Sequence, residues 1–117
     1  MIRVNHKALK WEDSGNGYFR KLLMAAGNNT SKECRVQFVR IPPNTTVRPH
    51  YHKGQTEIEY VLSGSGMAVS GRQRMVLRSG TIFTVEPNDV HEVRAGREGM
   101  LLLVTKANYS KDTEWLE

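Results

Sequence analysis

This chain of 117 residues is poor in the features that mark whole classes of protein. It has a single cysteine, Cys34. One thiol closes no intramolecular disulfide, which excludes a disulfide scaffold and fits a reducing compartment. A buried or half-buried thiol is the expected state of Cys34. Long apolar runs are missing too: none is longer than Met100 to Val104, which is far too short to span a bilayer. The first residues, Met-Ile-Arg-Val-Asn-His-Lys, carry no secretory h-region. The expectation is therefore a cytoplasmic protein with no membrane partner. Four Asn-x-Ser/Thr matches, starting at Asn28, Asn29, Asn44 and Asn108, read as chance matches in turn-like sequence.

There is also no dense basic block. The net charge is +5, but lysine and arginine are spread along the chain, and the few aromatic residues form no stacking signature. That argues against nucleic acid as a partner and leaves anionic metabolites open. Tandem repeats, low-complexity tracts and internal linkers are absent. With 38% hydrophobic and 25% charged residues, the composition is that of an ordinary globular protein. One domain over residues 1–117 is expected.

What the sequence does contain is a series of short β-like runs bounded by Gly, Asn and Pro. They include Tyr18 to Met24, Cys34 to Ile41, Thr46 to His52, Glu57 to Leu62, Met67 to Ser70, Arg74 to Leu77, Thr81 to Val85, His91 to Ala95 and Met100 to Thr105. A turn-rich stretch, Gly27 to Ser31, separates the first two. Ser70-Gly71-Arg72 and Gly96-Arg97-Glu98-Gly99 read as hairpin turns. Helix is expected only near the ends, around Lys7 to Asp13 and Thr113 to Glu117. This spacing argues for an all-β sandwich or barrel, not for βαβ units.

The richest segment is His50-Tyr-His52-Lys-Gly-Gln-Thr-Glu57. Strand side chains alternate faces, so His50 and His52 point the same way. After a turn, Glu57 opens the next strand and faces them across an antiparallel pair. His91 opens another strand beyond Pro87-Asn-Asp-Val90. Three imidazoles and a carboxylate can then converge in the barrel. That donor set suits one divalent ion, Fe, Mn, Ni, Co, Cu or Zn, and leaves octahedral positions open for water or substrate. A closed structural zinc site is more often tetrahedral and cysteine-rich. The remaining histidine, His6, has no partner pattern.

Other residues join this picture. Glu59 shares the parity of Glu57, and an interior carboxylate is costly unless paired or protonated. It is a candidate catalytic acid/base or substrate-orienting group. Arg48 shares the parity of the histidines and is a candidate clamp for a carboxylate or phosphate. Gln55, in the turn between ligands, is a candidate substrate contact. Tyr60 has outward parity. Met67, Met75 and Met100 read as core filler, and Trp11 and Trp115 as residues flanking the core.

Set out in order, Asn44-x5-His50-x-His52-x4-Glu57-x6-Gly64 resembles the first motif of the cupin superfamily, Gly-x5-His-x-His-x(3,4)-Glu-x6-Gly. The second motif, Gly-x5-Pro-x-Gly-x2-His-x3-Asn, is matched more loosely by Gly80, Glu86, Asn88, His91 and Ala95. Asn44 and Asn88 replace glycines, and asparagine is the side chain that best tolerates positive φ. All four ligand positions are intact. The resemblance implies a double-stranded β-helix, or jelly-roll barrel, with a core over about residues 35–105 and both ends packed on it. It implies a metal-dependent dioxygenase, isomerase or epimerase acting on a small molecule, and a homodimer. The alternative it leaves is a non-catalytic module that binds a sugar or an anionic metabolite.

Overall fold

The computed structural model describes residues 1–25, 33–109 and 111–116. The turn-rich stretch expected at Gly27 to Ser31, with Asn28 and Asn29, lies outside them. The strands are β1 (Glu12–Asp13), β2 (Phe19–Met24), β3 (Arg35–Ile41), β4 (Thr46–His52), β5 (Thr56–Ser70), β6 (Gln73–Arg78), β7 (Ile82–Val85), β8 (His91–Ala107) and β9 (Thr113–Trp115). A 3₁₀ turn at His6–Ala8 is the only helical element among the described residues. The protein is all-β and has the double-stranded β-helix form.

Two long strands organise it. β5 and β8, 15 and 17 residues, run antiparallel along most of their length. Each bends midway, so that its two parts lie in the two layers of one curled nine-stranded sheet. The first part of β8 pairs with β4, which pairs with β9. The second part pairs with β3, which continues to β2 and β1. Likewise β5 pairs with β7 through its first part and with β6 through its second. The expected hairpin at 96–99 is therefore not a chain reversal. It is a corner inside β8, as Gly64 to Gly66 is inside β5.

Glycine is required at this corner. Gly64 and Gly99 have φ of +81° and +71°, a region costly for L side chains. A Cβ on Gly64 would also run into the Gly99 carbonyl, and one on Gly66 into that of Arg94. The true hairpin is at Gly71–Arg72, where Ser70 faces Gln73. Asn44 and Asn88 adopt φ of 55° and 69°, as the two motif turns require. The Asn88 N–H donates to the His52 carbonyl at 2.7 Å, tying the turn before His91 to the end of β4.

Period-two alternation divides the interior in two. On β5, Glu57, Glu59 and Val61 point inward; on β8, His91, Val93 and Ala95, then Leu102 and Val104. The apolar half holds Val39, Ile41, Val61, Leu77, Met100 and Leu102 among others. Met75 packs against it, whereas Met67 is half-buried beside Arg74. Cys34 is half-buried. Tyr60 faces outward and is exposed, with Ile58 and Ile82 nearby on paired strands.

The ends differ from the helical expectation. Lys7 to Asp13 gives a single 3₁₀ turn and a short strand, with Trp11 and His6 packed on Phe38. Thr113 to Trp115 is a strand, because the free edge of β4 offers ladder partners that local propensity does not anticipate.

Candidate metal centre

The β4–β8 ladder sets His50 directly opposite His91, their ring centroids 4.1 Å apart. His52 follows on the same face of β4, and Glu57 enters from β5. The donor atoms of His50, His52, Glu57 and His91 all lie within 4.8 Å of one another, and all four residues are buried. Glu57 Oε1 lies 2.9 Å from His52 Nε2 and 3.7 Å from His91 Nε2. His52 Nε2 nevertheless makes no hydrogen bond among the described residues. Nitrogen and oxygen sit side by side, as two ligands of one ion do.

The outer nitrogens are tied. His50 Nδ1 lies 2.9 Å from the Arg48 carbonyl and His91 Nδ1 2.9 Å from that of Asp89. A carbonyl only accepts, so both Nδ1 atoms carry the proton, and each Nε2 lone pair is free to face inward. His52 Nδ1 lies 2.9 Å from Thr113 Oγ1. The donor set thus fits a divalent cation: an orphaned imidazole nitrogen on His52, fixed tautomers on His50 and His91, and an adjacent carboxylate.

Protonation favours the same reading. Burial, reinforced by His91, lowers the His50 pKa to about 4, and burial lowers that of His91. Burial alone would raise Glu57; the facing His52, the Lys106 ammonium and His91 outweigh it and hold the carboxyl at about 2. Neutral imidazoles beside an ionised carboxylate are the forms a metal binds.

Glu59 is buried and lines the same cleft, and burial with neighbouring Glu57 pushes its pKa well up. Arg48 and Gln55 do not line this cleft. The inward parity expected for Arg48 is broken by a register shift between Val47 and His50. Pro49, without an N–H, sits in that bulge. Val47 points in and Arg48 out, exposed, with its guanidinium over Trp115. Gln55 is 1% exposed, and its side-chain amide has no hydrogen-bond partner among the described residues.

The basic groups that do line the cleft are Arg20, Arg35 and Lys106. Arg35 donates to the Tyr109 hydroxyl at 2.6 Å and to Gln37 Oε1 at 3.1 Å. Lys106 sits opposite Glu57 in the ladder, Nζ 3.7 Å from Oε2. Burial lowers its pKa despite the attraction of Glu57. The signal for Lys106 was its parity with Leu102 and Val104, and for Arg35 its parity with Gln37 and Val39. The cleft's remaining wall includes Trp115, whose ring stacks on His50.

The cupin domain model matches residues 37–105. The chain belongs to the cupin family. This cupin is 27% identical over 95 residues to the pectin degradation protein KdgF of Dickeya dadantii (strain 3937), spanning 81% of this chain and 82% of that protein. Its fold is similar to that of KdgF from Halomonas sp., with a TM-score of 0.79 and 19% identity over 95% and 96% of the two chains. It is also similar to the polyketide cyclase RemF of Streptomyces resistomycificus, with a TM-score of 0.85 and 19% identity over 100% and 86%. Among the described residues of this cupin, no helix is long and apolar enough to cross a membrane.

Proposed function

We propose that this cupin is a divalent-metal enzyme of the isomerase type, acting on a small carboxylated and hydroxylated molecule. The observation that carries the reading is that one cleft is lined both by the His50, His52, Glu57 and His91 donors and by the basic groups of Arg20, Arg35 and Lys106. A ligand with a carboxylate at one end and hydroxyl or carbonyl oxygens at the other suits both. The relative named for pectin degradation points to the same chemistry, since pectin is a polymer of carboxylated sugars.

An ion in this site would polarise a ligand oxygen as a Lewis acid. The chain's own residues do the rest. Arg35, its Nη1 and Nε already held by Tyr109 and Gln37, presents a fixed guanidinium edge to a carboxylate. The buried walls exclude water, which strengthens each charge-assisted contact. Glu59 and Lys106 line the cleft, and we assign them the removal of a proton from a carbon and its return to the neighbouring one. Such an isomerisation balances as one proton removed and one returned, with no oxidant consumed.

The test is to load the purified protein with Mn²⁺, Ni²⁺, Fe²⁺ or Zn²⁺ and incubate it with carboxylated sugars in D₂O. Deuterium incorporation at carbon without dioxygen uptake is the expected result. Tight binding with no exchange and no product, whichever metal is used, would replace the enzyme with a binding module. Dioxygen consumption coupled to ligand would replace the isomerase with an oxygenase.

A further inference from the structure

Strand β9 lies beyond the part of the chain that the family model matches, yet it touches two of the three candidate histidine ligands. It pairs with the outer edge of β4, Trp115 opposite His50 and Thr113 opposite His52. The Trp115 ring stacks on His50 at 4.4 Å between centroids, tilted by 30°. Thr113 Oγ1 meets His52 Nδ1 at 2.9 Å. His50 and His91 take their outer partners from carbonyls two residues away in sequence. His52 takes its partner from 61 residues away. The outer hydrogen bond of His52 therefore depends on a three-residue edge strand being in place.

That strand is held by its ladder to β4, by Trp115 packed against the core and under the Arg48 guanidinium, and by polar contacts. The Leu116 N–H donates to the Pro49 carbonyl at 2.8 Å, and Glu114 pairs with Lys53 at 3.2 Å in an exposed ion pair. Exposed pairs add little, and a short strand at a sheet edge opens at low cost in free energy.

We propose that docking of β9 and metal binding are linked, with Thr113 and Trp115 as positioning residues for the metal site. The proposal rests on the metal reading above. With the strand docked, the Thr113 hydroxyl accepts the proton-bearing His52 Nδ1, and the Nε2 lone pair faces the ion. With it undocked, that proton loses its partner and the imidazole is free to carry it on Nε2, where no metal binds. Trp115 holds the His50 ring plane in the same way. Coupling of this kind is reciprocal: if the strand strengthens metal binding, the metal holds the strand down.

The experiment uses the full chain with Trp11→Phe, which leaves Trp115 as the sole indole. Apoprotein is titrated with Co²⁺, read by its visible absorption and by quenching of Trp115 fluorescence. Hydrogen exchange over 113–116 is followed with and without Co²⁺. Thr113→Val is expected to weaken Co²⁺ binding by about 10- to 100-fold, as loss of an outer partner of a ligand does. Thr113→Ser should restore it. Co²⁺ should slow exchange at 113–116 in the unsubstituted protein, and less so in Thr113→Val. Equal Co²⁺ affinity in Thr113→Val and its parent overturns the linkage, as does exchange at 113–116 that ignores the metal. The exchange measurement needs no substitution of Thr113, so a poorly folded variant does not shield the idea. If the parent takes up no Co²⁺, the metal reading fails first and the linkage with it.

Discussion

His50 and His91 face each other across one rung of the β4–β8 ladder, with their Nδ1 atoms tied outward to backbone carbonyls. The pair is thus fixed in spacing by the sheet and in tautomer by the chain next to it. His52 and Glu57 complete the quartet from the same strand and from β5.

Loss of one member should empty the site. His91→Ala is expected to lower the affinity for a divalent ion by more than the roughly 10- to 100-fold typical of losing an outer-sphere partner. Equilibrium dialysis with elemental analysis measures it, with far-ultraviolet circular dichroism as the control for folding. Retention of one tightly held ion per chain in His91→Ala would exclude His91 as a ligand.

Acid should weaken the metal-free fold in a defined window. The folded pKa of His50 is depressed from 6.5 to about 4. Between those values the unfolded chain takes up a proton that the native chain does not, so stability falls as pH drops from about 6.5 to about 4. Glu57, depressed from 4.5 to about 2, extends the loss below pH 4.5. Glu59, whose pKa is raised, acts in the opposite sense, so the test uses a Glu59→Gln background: urea denaturation of the chelator-treated protein at pH 7.5, 5.5 and 4.5 should give falling midpoints, and adding His50→Gln should flatten the upper part of the trend. Midpoints that do not change from pH 7.5 to 4.5 would contradict the burial of a neutral His50.

Removing a positive charge from the cleft should select against anions. Lys106→Met keeps an unbranched stem and removes the ammonium. A charge-assisted hydrogen bond contributes about 1.5–3 kcal/mol, so carboxylated ligands should bind roughly 10- to 100-fold more weakly, and the matching uncharged sugar alcohols about as before. Calorimetry on both ligand classes checks this. An equal loss for charged and neutral ligands would mean that Lys106 shapes the cleft without reading charge.

The corner glycines should tolerate no side chain. Gly64→Ala combines a positive φ with a collision against the Gly99 carbonyl. The φ term alone costs about 1–2 kcal/mol, and the collision adds to it. Gly71→Ala, at φ of +59° but in open space, should cost only the first of these. Paired denaturation curves give the comparison; equal losses would show that the close approach carries no weight.

Much of this molecule is legible in the residues. The quartet follows from alternation on β4 and two turns, and Asn44 and Asn88 do stand at positive φ. Where structure and local pattern differ, the cause is shared: distant pairing decides what local pattern does not carry. Glycine near Gly64 and Gly99 reads as the end of a strand, but β5 and β8 pair with each other through the bend and so remain continuous. Strict alternation puts Arg48 inside, but a bulge at Pro49 moves the phase by one residue. Thr113 to Trp115 is too short to declare itself a strand; only the vacant flank of β4 makes it one. Beyond its parity with Leu102 and Val104, Lys106 carries no local sign of its place in the cleft, because its partner Glu57 lies 49 positions earlier in the chain.

The bend in β5 and β8 has a mechanical consequence. Because each long strand crosses from one layer to the other without a break, the two layers share a covalent spine at both crossings. Neither can peel away and leave its companion standing, so heat should release the whole barrel at once, metal cleft and apolar base together.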